Sequence, residues 1–174
     1  MTEPFPVSSM LYPDLYRYKY ADSFVVALQR NDVEPRELIA AFFESTPRWF
    51  SLLFQLRNRI VAVFGLKTAA SGRSESAPAC QVGQTIGLFR IFAMTDTEVV
   101  LGQDDSHLDF RTSLLLHRHE AGADLFVSTL VHTRNRLGVL YFTVVKPFHC
   151  FAVPILARAM AKRLDARRVT MPRP

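Results

Sequence analysis

Cysteine is scarce in this chain, which has two among its 174 residues. Cys80 ends a stretch rich in serine, alanine and glycine, and Cys150 stands beside the start of a predicted helix. Two cysteines do not build the disulfide framework on which small secreted domains rely. We interpret both as free thiols in a reducing compartment.

Long apolar runs are missing as well. No run approaches the roughly 20 residues that a helix needs to span a bilayer. The N-terminus, MTEPFPVSS, has an acidic residue and two prolines where a signal peptide has basic residues and an apolar core. We therefore expect no membrane span and no secretory leader, and we predict a cytoplasmic protein.

The sequence also lacks the short motifs of several enzyme classes. It has neither a GxGxxG nor a GK[ST] pattern, so we expect no nucleotide cofactor, and no other cofactor is indicated. It has no GxSxG elbow. The adjacent His149 and Cys150 would face different ways on a helix, which makes a poor catalytic pair.

What is present is the composition of an ordinary soluble domain. Hydrophobic residues make up 49% of the chain and charged residues 21%, and the length suits one domain. We divide the chain into an irregular, proline-containing arm (1–17), a single domain (18–166) and a basic tail (167–174).

The net charge of +5 comes partly from basic residues near the C-terminus, namely Arg158, Lys162, Arg163, Arg167 and Arg168. Such a cluster can bind nucleic acid or an anionic membrane. More often it is the solvated face of a terminal helix, where basic residues favour the helix dipole. We adopt the second interpretation and expect no nucleic-acid partner, with a protein-interaction module that works through the tail as an alternative.

The first half of the chain predicts one strand and two helices. Residues alternate from Tyr20 to Leu28, as in a strand, and Pro35 suits the first turn of a helix. Thr46 and Pro47 predict the cap and first turn of a second helix. The apolar stripe of that second helix consists of Trp49, Leu53, Leu56, Ile60 and Val63.

The second half predicts a series of strands and a final helix. The strands fall at 86–94, 98–101, 107–119, 125–133 and 139–145. Their connections are too short for parallel crossovers, so we expect an antiparallel meander. The final helix, from Cys150 to Asp165, would be about 24 Å long at 1.5 Å per residue, enough to lie across several strands.

This order of elements predicts an α+β protein in which a curved antiparallel sheet wraps around the long C-terminal helix. The two short helices would close one end. The arrangement resembles the helix-grip fold of the START and birch-allergen (SRPBCC) superfamily. That resemblance implies an apolar cavity between the sheet and the helix.

Short segments carry a closer resemblance. They are YADSF (20–24), LGQDDSHLDFR (101–111) and NRLG (135–138) running through Tyr141 to PFH (147–149), together with PRW (47–49) and FGLK (64–67). They resemble the family called domain of unknown function 2867. The resemblance implies a fold and no established activity.

The densest group of chemically active side chains lies between Glu98 and His119. Strand alternation places His107, Asp109 and Arg111 on one face of the strand predicted at 107–119, opposite a mainly apolar face. The simplest interpretation is a core side and a solvent side. The functional alternative is that the polar face lines a cavity.

No metal site is predicted. His117 and His119 repeat the spacing of His107 and Asp109, but residues 107 and 119 are about 40 Å apart on an extended strand. Zinc ligands lie about 2.0–2.2 Å from the ion. The two pairs therefore cannot share one metal unless the strand bends sharply.

Our leading hypothesis is that the chain binds a small apolar or amphipathic molecule, with weak catalysis or none. The ligand-binding residues would be Arg111, Asp109, His107, Tyr141 and His149, with a polar or anionic end of the ligand near Arg111. The alternative is an enzyme of the same fold, such as a cyclase, dehydratase or hydrolase. His107 and Asp109 would then act as acid and base, and Arg111 would stabilise an oxyanion.

Overall fold

The computed structural model describes residues 3–46 and 80–167. Its centre is a six-stranded antiparallel sheet in the order β1-β6-β5-β4-β3-β2. The strands are β1 (Tyr20–Leu28), β2 (Thr85–Ile86), β3 (Phe89–Met94), β4 (Glu98–Asp104), β5 (Leu108–His119) and β6 (Gly122–Thr133), and the helices are α1 (Pro35–Ser45) and α2 (Arg136–Ala166). The predicted α+β class is confirmed, and the sheet with its long C-terminal helix is consistent with a helix-grip fold.

The strands follow the predicted alternation closely. Strand β1 has the predicted bounds, and β5 and β6 form the longest pair, joined at Gly122 with φ +152°. The segment predicted as a single strand at 86–94 is two strands, because Gly87 (φ +61°) turns the chain between β2 and β3. A glycine is favoured at such positive φ values because it has no Cβ to clash.

Helix α1 begins where the proline predicts. Pro35 occupies its first turn, and the Glu37 carboxylate accepts a hydrogen bond from the Glu34 backbone N–H at 3.1 Å. Arg30 donates two hydrogen bonds to Glu37, each at 3.2 Å. The predicted second helix, from Pro47 onward, lies outside the described residues, as does Arg168 of the predicted tail. Its predicted cap, Thr46, is the C-terminal cap residue of α1, and its hydroxyl donates to the Phe42 carbonyl at 2.8 Å.

Helix α2 is longer than predicted. The strand predicted at 139–145 is wrong, because these residues form the first turns of α2, which then continues through Pro147 and Pro154. The β-branched and aromatic residues of this segment have strand propensity, but tertiary packing overrides it. At the start of the helix, the Asn135 side chain accepts a hydrogen bond from the Gly138 backbone N–H at 2.9 Å, which satisfies one of the free donors of the first turn.

The main core lies between the inner face of the sheet and the two helices. The C-terminal half of α2 contributes Val153, Leu156, Met160 and Leu164, which pack with residues of α1 and of β1, β5 and β6. The outer face of the sheet is covered by the N-terminal arm, which includes a 3₁₀ helix at Tyr12–Arg17. Leu11 of the arm packs with Val100 and Leu130.

By length and composition alone, α2 is a helix that could cross a membrane. Only 17% of its most apolar 18-residue window is buried inside the protein. The expectation of no membrane span stays a prediction, because length and composition alone do not test it. The C-terminal half of the same helix belongs to the main core.

Candidate ligand cavity

A cavity of about 150 Å³ lies between the inner face of the sheet and the N-terminal half of α2. Its floor is made by β5 and β6, and its roof by α2. Most of the lining side chains are apolar, among them Phe42, Phe89, Leu108, Phe110, Val127, Val131, Phe142, Val145, Val153 and Leu156. The polar lining residues are Gln103, Asp105, His107, Thr112, Thr129, Tyr141 and His149.

His107 belongs to the lining of this cavity. It lies in the turn before β5, so its side chain does not follow the alternation of the strand and points to the inner side. The side chain is 2% exposed, and its Nδ1 lies 3.4 Å from an Asp105 oxygen without forming a hydrogen bond. The Tyr141 ring meets the His107 ring edge-on, with the ring centroids 5.5 Å apart.

A row of polar residues crosses the inner face in the middle of the sheet. Asp22 of β1 is opposite Thr129 of β6, which is opposite Thr112 of β5. All three residues are buried. The Thr129 hydroxyl has no hydrogen-bond partner in the described part of the chain. This hydroxyl on the cavity floor can therefore donate a hydrogen bond to a ligand or accept one from it.

The Asp22 carboxylate contacts His149, which also lines the cavity. His149 Nε2 lies 3.0 Å and 3.3 Å from the two Asp22 oxygens. The Tyr20 hydroxyl donates to Asp22 at 2.7 Å and lies 3.5 Å from the Cys150 sulfur. Burial raises the pKa of Tyr20 well above its usual range, and the hydrogen bonds with Cys150 and Asp22 raise this pKa further.

Asp109 and Arg111 lie on the opposite face of β5, towards the N-terminal arm. Arg111 donates to Asp104 at 2.6 Å, and its guanidinium stacks 3.6 Å from the centroid of the Phe92 ring. Asp109 accepts a hydrogen bond from Arg134 at 2.8 Å. Both side chains are thus paired with protein groups outside the cavity.

Comparison with known families matches residues 15–156 to the family described as a protein of unknown function (DUF2867). The chain belongs to this family. The matched range contains every described residue that lines the cavity, from Phe42 to Leu156, and also Asp22. No curated protein matches the chain.

Of the five residues predicted to bind a ligand, this DUF2867 chain brings three to the cavity. These are His107, Tyr141 and His149, whereas Asp109 and Arg111 point away. The prediction placed His107 and Asp109 on one face by extending the strand to residue 107. Because the strand begins at Leu108, that alternation does not apply to His107.

Sequence reasoning did not single out two residues of the DUF2867 cavity region, Asp22 and Thr129. Asp22 gave a signal, since it is the only ionisable carboxylate on the otherwise apolar or aromatic face of the strand at 20–28. Thr129 gave none, because an isolated threonine is ordinary in a strand.

Within residues 3–46 and 80–167, this DUF2867 chain has no group of three or more His, Cys, Asp or Glu side chains that could hold a metal ion. His117 and His119 lie at the C-terminal end of β5, where they pair with Asp124 and Gly122 of β6. Both are exposed. The described residues thus offer acid–base and hydrogen-bonding chemistry at the cavity.

Proposed function

We propose that this protein binds a small, mostly apolar molecule with one neutral hydrogen-bonding end in the cavity between the sheet and α2. We also propose that the family is a branch of the START and birch-allergen (SRPBCC) superfamily. The strand order and the long helix on the inner face support that placement.

The observation that carries the proposal is a pair of buried polar atoms without hydrogen-bond partners in the described chain. They are the Thr129 hydroxyl and His107 Nδ1, whose 3.4 Å contact with the Asp105 carboxylate is an ion pair only when His107 is protonated. Both residues line the cavity. A buried polar group without a partner costs about 1–3 kcal/mol. A ligand with a hydroxyl or carbonyl oxygen would offset that cost, whereas an apolar filler would not.

The cavity volume limits the size of the ligand. Drug-sized ligands occupy pockets of about 300–1,000 Å³, and an engineered apolar cavity of about 150 Å³ binds benzene. At about 150 Å³, this cavity suits one aromatic ring or a short branched chain. The apolar lining supports the same class of molecule.

The charged groups around the cavity oppose an anionic ligand. Asp22 is a buried carboxylate on the cavity side of the sheet, and like charges repel strongly when they are poorly solvated. Arg111, which we expected to receive an anionic end, lies on the other face. The polar end of the ligand is therefore a neutral donor or acceptor.

Native mass spectrometry of the protein as purified from its host, followed by identification of any released molecule, tests the proposal first. A thermal-shift series then compares toluene with benzyl alcohol and phenol. We expect the two hydroxyl compounds to raise Tm more than toluene does. Thr129→Val keeps the shape of the side chain but removes its hydroxyl, so it should abolish this difference.

Thr85→Val is the matched control, since Thr85 is exposed on β2 and outside the cavity. It should leave the hydroxyl preference unchanged. A protein that carries no small molecule, and whose Tm is moved by none of the three compounds, would contradict the proposal. Equal shifts with toluene and phenol would contradict the role of the polar atoms.

An enzyme remains the second candidate because of the Asp22–His149 pair. The hydrogen bond from Nε2 to Asp22 leaves Nδ1 of His149 as the nitrogen for proton exchange. His107, Asp109 and Arg111 do not surround one space, so they do not form the predicted acid–base set. If the molecule found by mass spectrometry is turned over, His149→Gln should abolish turnover and retain binding.

A further inference from the structure

The N-terminal half of α2 presents a line of large apolar side chains to solvent. The line consists of Leu140, Val144, Phe148, Phe151 and Ile155, all of them exposed, with Phe151 at 68%. Their spacing of four, four, three and four residues places them on one side of the helix, over a length of about 22 Å. This side is not the one that lines the cavity, which uses Tyr141, Phe142, Val145 and His149.

The same side of α2 becomes cationic towards its C-terminus. Arg158 and Lys162 follow Ile155 by three and seven residues, which places them on the same side of the helix. Both are exposed. The sequence from Arg136 to Leu164 contains no aspartate and no glutamate. Arg136, at the start of the helix, adds a further exposed cation.

We propose that this side of α2 binds the surface of an anionic lipid bilayer, with the helix lying in the plane of the interface. A helix with an apolar line and basic residues inserts its apolar side chains at the boundary between headgroups and acyl chains. Basic residues near an anionic surface strengthen that binding. Exposed apolar patches of this kind mark interaction sites on soluble domains.

The contact is peripheral, although α2 has the length and composition of a spanning helix. Val153, Leu156 and Met160 of the same helix belong to the main core. Removing the helix from the sheet would expose that core. The helix therefore stays packed on the sheet and contacts the bilayer with its exposed side.

A bilayer explains the charges better than a second copy of the chain does. Two copies that joined through this side would bring Arg158 and Lys162 of both into one interface. The helix offers no carboxylate between Arg136 and Leu164 to pair with them. Anionic headgroups supply the missing negative charge.

Co-sedimentation with phosphatidylcholine vesicles, with and without phosphatidylglycerol, tests the proposal on the full chain. We expect binding only to the vesicles that contain phosphatidylglycerol, and release by high salt because screening weakens the attraction. Phe151→Asp should weaken binding at least about 10-fold, since it places a charge in the inserted line. The double variant Arg158→Gln, Lys162→Gln should weaken it on the order of 10-fold and reduce its salt dependence.

Val82→Asp is the matched control, because Val82 is 58% exposed and lies outside α2. It adds the same charge at an exposed valine and should bind like the wild type. Circular dichroism and Tm should be the same for Phe151→Asp and the wild type, since Phe151 lies on the surface.

Several outcomes would overturn the proposal. They are no binding of the wild type to either vesicle, equal binding to neutral vesicles, and wild-type binding by Phe151→Asp. A wild-type dimer in analytical ultracentrifugation that Phe151→Asp converts to a monomer would assign this side to a second copy. Retention of the protein in membranes after a sodium carbonate wash would indicate a span.

Discussion

Glu98 is a fully buried carboxylate that joins the N-terminal arm to the sheet. It accepts hydrogen bonds from the Ser9 hydroxyl at 2.6 Å, the Met10 backbone N–H at 2.7 Å and the Ser113 hydroxyl at 2.5 Å. It makes no ion pair with any residue in 3–46 or 80–167, so its burial depends on these three donors. Removing such an acceptor leaves the donors buried without partners, which costs more than the bonds themselves contributed.

Glu98→Ala should therefore lower the free energy of unfolding by about 3 kcal/mol. Denaturant titration measures that loss, and hydrogen exchange at the Met10 amide should become faster. Glu98→Gln should lose less stability, because its amide oxygen still accepts hydrogen bonds from some of the donors. Glu120 is exposed, and Glu120→Ala is the control that should change little. Equal stability of Glu98→Ala and the wild type would show that the arm does not depend on this carboxylate.

Tyr20 gives the stability a dependence on alkaline pH. Its pKa is raised in the folded protein, chiefly by burial and then by its hydrogen bonds with Cys150 and Asp22. Below pH of about 10 the hydroxyl keeps its proton in both states, whereas above that value the unfolded chain loses it first. Ionisation then favours the unfolded state, so stability falls as the pH rises from about 10 towards the folded pKa.

Urea titrations of the wild type and Tyr20→Phe at a series of pH values test this expectation. The wild type should lose stability above pH of about 10 more steeply than Tyr20→Phe does. Tyr16 is 84% exposed, so Tyr16→Phe serves as the control and should follow the wild type. Parallel curves for the wild type and Tyr20→Phe would contradict the assignment.

At the scale of the elements, the turn before β5 is bonded directly to the start of α2. The Arg134 N–H donates to the His107 carbonyl at 2.9 Å, and the Asn135 side chain donates to the Ser106 carbonyl at 3.1 Å. Gly138 is so close to this turn that a Cβ would overlap the His107 carbonyl oxygen. The glycine is needed here for close approach, because that oxygen belongs to the backbone and cannot rotate away.

Gly138→Ala should thus push α2 away from the turn and lower stability by about 1–3 kcal/mol, despite the better helix propensity of alanine. The change should also reduce any ligand-induced rise in Tm, because the backbone displaced by the new Cβ belongs to His107, which lines the cavity. Val139→Ala, at an exposed neighbour, should cost little in either measurement. A Gly138→Ala protein more stable than the wild type would mean that the helix adjusts freely.

The elements also show what could be predicted from sequence. Local rules located β1 and α1, because alternation and a proline at the first turn depend on near neighbours. The same rules predicted a strand at 139–145, because they do not take account of the packing of α2 on the sheet. They placed His107 on the wrong face, because a residue just before the start of a strand does not follow the alternation of that strand. The cavity brings residues of β3, β4, β5, β6 and both helices together, and such an arrangement is set by tertiary packing alone.

At the scale of the whole molecule, the sheet is covered on both faces by different parts of the chain. The two helices cover the inner face, and the arm covers the outer one, where Leu11 packs with Val100 and Leu130. Beyond this packing, the Glu3 N–H donates to the Ser23 carbonyl at 2.9 Å. The arm, which the sequence pattern separated from the domain at residue 17, thus makes core contacts of its own.

The two covers should be separable by substitution. Leu11→Ala removes a buried side chain from the outer cluster and should lower stability by about 2–3 kcal/mol. It does not touch the cavity on the inner face, so the rise in Tm that phenol causes should keep its size. Thr129→Val should show the reverse, with a small change in stability and a lost preference for phenol over toluene. If Leu11→Ala also reduced the rise in Tm that phenol causes, the two faces would be coupled through the sheet. The arm would then belong to the ligand-binding machinery.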